Sequence, residues 1–403
     1  MQILGVWMWP RSVRVYGAET VASRCARMGV TDIYFLAKGL AGTASYRSAV
    51  VPMDSERDLL GELLTAAHRR GIRVHAWLTS ASDEHYRLAH PDSGRFHYSR
   101  GRDKGLIALT DEGYLSYMDR AVCELCRGFD IDGLHLDYIR YNHLLYGWSE
   151  ADMARYAAEG ASPDRLRALM DGTFLAQDRS EHLIFNAYRA GDESALALAR
   201  TRRRDVLRFA QAMTSAARAE NSRLILSAAL MPEGAYDDTA FADLHYGQSY
   251  DDAAALYDYA LPMAYSNAYG KDSAWVRSVA EGTLRRGVST VVGLHAYEGG
   301  TQASLRADAA ALEGTPVSGI CLFREGAFVT GFADGRTLTL LNTTDAAVSS
   351  VAVRCGSDAL ILSEAIAPGE ERRFALPFAP EAVQAMADGT ELPLYIAREQ
   401  RIG

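Results

Sequence analysis

A strand-then-helix beat repeats along most of the chain, and it limits the possible folds more than any other feature. Segments 3–9, 32–37, 72–78, 132–141, 224–231, 259–265, 290–297 and 319–323 read as strands: short, apolar and rich in β-branched and aromatic residues. Between them lie helical patterns at 18–28, 55–70, 111–127, 201–219, 273–286 and 305–312, several of them ended by a glycine such as Gly29 or Gly71. Ser55 is the expected cap of the second helix. Links from helix to strand are short and those from strand to helix are long. That asymmetry predicts an α/β fold, a (β/α)8 TIM barrel whose working loops gather on one rim.

Two departures from the beat set the domain plan. Residues 142–205, after strand four, read as a mostly helical insertion, and residues 80–106, after strand three, as a long polar loop. Beyond residue 333 short β segments at 337–341, 348–354, 359–362, 371–378 and 391–396 alternate with turns, and a short helix is expected at 379–386. The plan is a barrel over 1–332 with its insertion, then a small C-terminal antiparallel β-sandwich over 333–403 that buttresses it.

A length of 403 residues suits such a pair, and 48% hydrophobic residues suffice for a large core. The net charge of -9 argues against a nucleic-acid partner. The cluster Arg200, Arg202, Arg203 and Arg204 reads as the solvated face of a helix. Five scattered cysteines form no disulfide framework, and the Cys123/Cys126 pair falls inside a helix, where packing explains it better than a metal. No stretch is long and apolar enough to span a membrane, and no leader is expected, so the chain is read as cytoplasmic, or exported with its leader removed.

Strand four carries the chemistry. In Asp132-Gly133-Leu134-His135-Leu136-Asp137-Tyr138-Ile139-Arg140-Tyr141, apolar and polar residues alternate, and Asp137 and Arg140 stand where the strand should end. A buried carboxylate needs a partner or a purpose. Pairing with Arg140 alone would be structural. The other strand ends argue for a purpose, since they supply Trp7 and Trp9, Lys38, His75 and Trp77, Glu233, Tyr265 and Asn267, His295, Tyr297 and Glu298, and Arg324 and Glu325. Aromatic rings stack on the C–H faces of sugars, while charged and amide groups bind hydroxyls. The set therefore predicts a saccharide cleft, with a carbohydrate as the partner and no cofactor.

Glycosidic cleavage uses two carboxyl groups. Asp137 is the candidate nucleophile or stabiliser, with Arg140 and Lys38 as its cationic neighbours. The acid/base is open among Glu233, first because strand five adjoins strand four, then Glu298, Glu325, and behind them Asp132, Asp83 or Glu84. Asp132, at the start of its strand, reads as structural.

The strand-four run resembles the signature of bacterial glycosyl hydrolases of the glycosyl-hydrolase-like family 10 and related α/β-barrel families. Tyr259-Ala260-Leu261-Pro262-Met263-Ala264-Tyr265, Gly293-Leu294-His295-Ala296-Tyr297 and Gly5-Val6-Trp7-Met8-Trp9 are similar to other strands of that family. The resemblance implies a barrel that cleaves glycosidic bonds without a metal, with Asp137 in the active site. Asn142 stands where the family has proline, and the insertion sets the chain apart. A metal-dependent barrel would want His-x-His where Trp7-Met8-Trp9 stands, and neither a phosphate-cradling loop nor a nucleophilic serine elbow is present. The rival expectation is a non-catalytic glycan-binding or scaffold barrel; transglycosylase or lyase action at the same acids is a further one.

Overall fold

The computed structural model describes residues 3–174, 183–296 and 300–398. Eight parallel strands form the barrel: β1 Ile3–Met8, β2 Asp32–Lys38, β3 Arg73–Thr79, β4 Gly133–Asp137, β5 Ile225–Leu230, β6 Tyr259–Pro262, β7 Val291–His295 and β8 Gly319–Phe323. They adjoin in the order β6-β5-β4-β3-β2-β1-β8-β7. Single parallel bridges, Ala260 to Thr290 and Met263 to Gly293, close β6 on β7.

Strand alternation divides the side chains between two environments. Leu134 and Leu136 pack outward with the surrounding helices, while Trp7, Tyr34, Trp77, Ala229, Leu261, Val291 and Cys321 fill the lumen. Room for such large rings comes from glycines in the wall. A Cβ on Gly133 would stand 2.2 Å from His75, and one on Gly293 would stand 2.9 Å from Trp7. The lumen is hydrogen-bonded as well as packed. Trp7 Nε1 donates to His135 Nε2 at 3.0 Å, and His135 Nδ1 lies 2.9 Å from Ser227 Oγ. A ring that accepts at one nitrogen and donates from the other is neutral, as burial, which pushes its pKa well down, requires.

Several expected boundaries shift for identifiable reasons. The helix expected from Ser55 is Leu59–His68, because Asp58 takes the capping position and accepts from Gly61 N at 3.0 Å. The polar loop after β3 holds a helix, Glu84–Ala89, and an antiparallel hairpin, Gly94–His97 with Gly101–Ile107. The insertion contains helices Glu150–Ala158, Pro163–Phe174 and Leu183–Arg189. Its last helix, Glu193–Glu220, continues without a break as the one that returns the chain to β5.

Within that helix Arg202 corrects the reading of the arginine cluster. Arg200, Arg203 and Arg204 form surface pairs with Glu193, Asp252 and Glu159, but Arg202 is fully buried. It donates to the carbonyls of Leu244 (2.9 Å), Leu144 (3.1 Å) and Tyr146. Its guanidinium lies 4.5 Å from the Tyr141 ring, which Arg95, also buried, faces at 5.2 Å. Arg95 donates in turn to the Arg140 carbonyl and to Asn142 Oδ1, both at 2.9 Å. These two cations fasten the insertion and the hairpin to the segment that follows Asp137.

The C-terminal part is a two-sheet sandwich around its own core. Its strands are β9 Val329–Asp334, β10 Thr337–Asn342, β11 Ser350–Cys355, β12 Asp358–Leu362, β13 Glu371–Ala375, β14 Ala382–Ala387, β15 Thr390–Leu392 and β16 Leu394–Arg398. One sheet runs β13-β10-β9-β16 and the other β12-β11-β14-β15; all pairs are antiparallel except β9 with β16. The helix expected at 379–386 is the strand β14, where Val383, Ala385 and Ala387 are buried and Ala382 and Gln384 exposed, a period of two. The sandwich meets the helices after β1 and β7. Arg24 donates to the Gly369 carbonyl at 2.8 Å, Arg27 pairs with Glu371, and Gln302 accepts from Val383 N at 2.7 Å. All five cysteines are free, and among the described residues no helix is long and apolar enough to cross a membrane.

Candidate active site

Asp137 ends β4 with its carboxylate turned into the upper lumen. Its Oδ2 accepts from Trp77 Nε1 at 3.2 Å, and its Oδ1 accepts from Tyr138 N at 2.6 Å and Arg140 Nη1 at 3.2 Å. Among the described residues the three groups bonded to it are all donors, the complement of an acceptor-only carboxylate. Tyr138 holds a φ of 58°, in the left-handed region that bulky residues avoid at a cost of roughly 1–2 kcal/mol. Its reward is geometric. The turn returns the Tyr138 N–H to Asp137 and lays the Tyr138 ring 4.6 Å from the Arg140 guanidinium.

A second acid, Glu233, follows the neighbouring strand β5, close enough to Arg140 for the guanidinium charge to act on it. Glu233 lies on the short turn Pro232–Ala235 after β5, where Tyr269 Oη donates to its two oxygens at 3.3 and 3.5 Å. Burial pushes its carboxyl above the ordinary value, and hydrogen bonds from its own backbone and Tyr269, with the charge of Arg140, pull the other way. Tyr236, Tyr246, Tyr250 and Tyr269 surround it closely enough for its charge to act on each. Asp137 and Glu233 are both buried, at 6% and 8% exposure. Arg140 links them, hydrogen-bonded to one and electrostatically felt by the other.

The opposite wall is aromatic. Tyr265 stacks on His295 (5.3 Å between ring centres) and on Phe323 (5.6 Å), and Asp137 lies close enough to Tyr265 to act on its hydroxyl. Trp9 is half-buried with the Arg324 guanidinium 3.6 Å from its ring centre, so one of its faces is already covered. Asn267 is exposed at the rim, its amide 3.3 Å from Ser304 Oγ. Tyr297 and Glu298 fall outside the described residues.

Four of the sequence expectations fail on position. Trp7 is 1% exposed and lies a layer below the mouth, spending its N–H on His135. His75 is deeper still, bonded to Asp32 at 2.8 Å and stacked on Tyr34. Lys38 should share the lumen face of β2 with Tyr34 and Leu36, but the strand shifts register between Leu36 and Lys38. Its ammonium is turned away from Asp137 and fully buried, 3.0 Å from Asp83 and 3.1 Å from the Ser82 carbonyl. Glu325 is 3% exposed and bonded to Ser12 behind the barrel wall, so it serves the packing of the helix after β1. Asp132 accepts from Val74 N at 2.7 Å at the base of β4, in keeping with a structural part.

Tyr138, Tyr269 and Gln248 bond to Asp137, to Glu233 and to the Ile139 carbonyl, and were not singled out from sequence. Gln248 donates to the Ile139 carbonyl at 3.0 Å and accepts from Met231 N at 3.1 Å, holding the ends of β4 and β5 together above the acids. Their only sequence signal was proximity, since Tyr269 follows Tyr265 by one helical turn. Among the described residues no group of three or more His, Cys, Asp or Glu is placed to hold a metal ion.

No family model matches the chain, so membership of the glycosyl-hydrolase-like family 10 is not shown, and no curated protein matches it. Solved structures do resemble it. The PgaB (BpsB) glycoside hydrolase domain from Bordetella bronchiseptica aligns over 81% of this chain and 94% of its own, with a TM-score of 0.66 and 15% identity. The catalytic domain of β-amylase from Paenibacillus polymyxa aligns over 80% and 92%, with a TM-score of 0.57 and 12% identity. Alpha-L-fucosidase isoenzyme 2 from Paenibacillus thiaminolyticus aligns over 81% of this chain but 46% of its own, with a TM-score of 0.57 and 15% identity. At such identities the likeness concerns the barrel fold.

Proposed function

We propose that the chain is a glycoside hydrolase acting on a poly- or oligosaccharide, with Asp137 as nucleophile or transition-state stabiliser and Glu233 as acid/base. One observation supports the reading: Arg140 is hydrogen-bonded to Asp137 and acts by its charge on Glu233, so two carboxyl groups that follow adjacent strands are served by one cation, and burial raises the second. That is the division of labour glycosidic cleavage needs. Glu233 in its protonated form gives its proton to the glycosidic oxygen as the bond from that oxygen to the anomeric carbon breaks. Asp137 meets the positive charge that grows on the sugar, by ion pairing or by a covalent bond that water later cleaves. Water supplies the hydroxyl, and Glu233 is the group in reach to take up or relay its proton. Tyr265, His295, Trp9 and Asn267 offer stacking faces and hydrogen bonds to the ring being cleaved. The solved structures with this fold whose names are given above are glycoside-cleaving proteins, which supports the reaction class.

The test is release of reducing ends from a panel of plant, microbial and animal polysaccharides and aryl glycosides, with a chelator present. Cleavage that persists in chelator and is lost in Glu233→Gln supports the proposal. Binding of a glycan without any cleavage across the panel would favour the non-catalytic alternative.

A further inference from the structure

Away from the acids, an open cavity of about 320 Å³ lies between the insertion and the hairpin, lined by Tyr98, Trp148, Glu150, Met153 and Arg167. Tyr98 comes from the hairpin after β3 and the other four from the segment after β4. The cavity therefore stands on the same rim of the barrel as the mouth. Its apolar wall is a corner made by two rings, Trp148 and Tyr98, whose centres are 5.1 Å apart and whose planes meet at 78°.

Both rings are fixed in place. Trp148 Nε1 donates to the Leu144 carbonyl at 2.7 Å, and Tyr98 Oη donates to Asp171 at 2.6 Å. The Met153 thioether adds a soft apolar surface, and the facing sides are charged. Glu150 and Arg167 are both exposed, and Arg167 forms a loose pair, 3.5 Å, with Asp164. Arg202, 6.0 Å from the Trp148 ring, ties this corner through Tyr141 and Arg95 to Arg140. Packed cations thus connect the cavity to the segment that follows Asp137.

We infer that this cavity is a second glycan-binding site, taking one pyranose ring of a chain whose other end lies in the mouth. The inference rests on the hydrolase reading. Its volume is at the small end of ligand pockets, roughly 300–1,000 Å³, which suits a single ring better than an extended peptide. Trp148 is 7% exposed and Tyr98 half-buried, so the phenol, with the part of the indole left uncovered, meets the C–H face of a sugar, while Glu150 accepts from hydroxyls and Arg167 donates to them. Such a site would raise affinity for long substrates by making the second contact intramolecular.

The five tryptophans make the two sites separately visible. The Asp137→Asn chain, labelled with 5-fluorotryptophan and assigned through single Trp→Phe variants, would be titrated to tens of millimolar. The probes are the methyl glycosides of glucose, galactose, N-acetylglucosamine and glucuronic acid. The expected result is a saturable shift of the Trp148 resonance with at least one glycoside. Glu150→Ala combined with Arg167→Ala, both exposed and so harmless to folding, should weaken that response about tenfold or more while any Trp77 response is kept. If Trp77 or Trp9 responds and Trp148 does not, the second site is refuted and the hydrolase reading stands. If none responds to any of the four glycosides, both readings fail.

Discussion

Tyr269→Phe tests the assignment of Glu233 with a change of one oxygen atom. The Tyr269 ring stacks on Trp275 with centres 5.1 Å apart, a contact phenylalanine keeps, so the variant removes a hydroxyl and little else. That hydroxyl donates to the ionised form of Glu233 at 3.3 and 3.5 Å, long beside the usual 2.7–2.8 Å for such a bond, and so contributes at the weak end of the range, about 0.5 kcal/mol. Losing it disfavours ionisation, and Glu233 stays protonated to higher pH. The alkaline limb of kcat/KM, where a general acid loses its proton, should move up by a few tenths of a pH unit. The assay is the pH profile on an aryl glycoside with a poor leaving group, with Glu233→Gln as reference. That reference should lose about 10²–10⁴-fold on the poor leaving group and far less on a good one. A limb that stays put or moves to lower pH in Tyr269→Phe would refute the assignment.

Three further outcomes follow from buried charges elsewhere. Asp32 accepts from Arg73 (2.8 and 2.9 Å) and lies 2.8 Å from His75 Nε2; burial opposes its ionisation, but these bonds hold its carboxyl down at about 2, against an ordinary 3.8. Since the folded value is the lower one, the stabilisation, about 2 kcal/mol, is complete above about pH 4 and is lost as pH falls toward 2. Urea unfolding of Asp32→Asn should show that loss at neutral pH and a closing gap in acid. Arg202→Met should cost about 3–5 kcal/mol, and Arg203→Met, on the same helix but in a surface pair, about 1 kcal/mol or less; equal losses would contradict the fastening role of Arg202. Lys38→Met leaves the buried Asp83 without its cation, and should destabilise by about 3–5 kcal/mol, largely recovered in Lys38→Met with Asp83→Leu. Turnover by the folded fraction should be unchanged in both Lys38 variants.

The barrel was legible because its strands are buried on both sides, which writes short apolar runs into the chain at every turn of the beat. The adjacency of strands four and five was legible for a related reason, and it puts Asp137 and Glu233 at the ends of neighbouring strands. Depth was not legible. Trp7, Trp9, His75 and Trp77 all have lumen parity, and only the stagger of the strands decides that Trp77 touches Asp137 while Trp7 and His75 lie beneath it. Lys38 was misread because a register shift between Leu36 and Lys38 reverses its face, and Ala37, the residue in the shift, carries no turn signal. Arg202 was misread because a helix that crosses from surface to interior hides the change in a run of identical charges. In β14 a two-residue period over six residues was too short to outweigh the helix-like composition of its alanines.

The central claim is that Asp137 stabilises charge on a sugar at the moment of cleavage. A carboxylate about 4 Å from a unit positive charge is worth about 4 kcal/mol at an effective dielectric constant near 20, equivalent to about 10³-fold in rate. The decisive measurement is kcat/KM of Asp137→Asn beside its affinity for an uncleaved oligosaccharide. A fall of at least about 10³-fold in kcat/KM with affinity little changed is the expected result. Activity within tenfold of the unaltered chain would contradict the account.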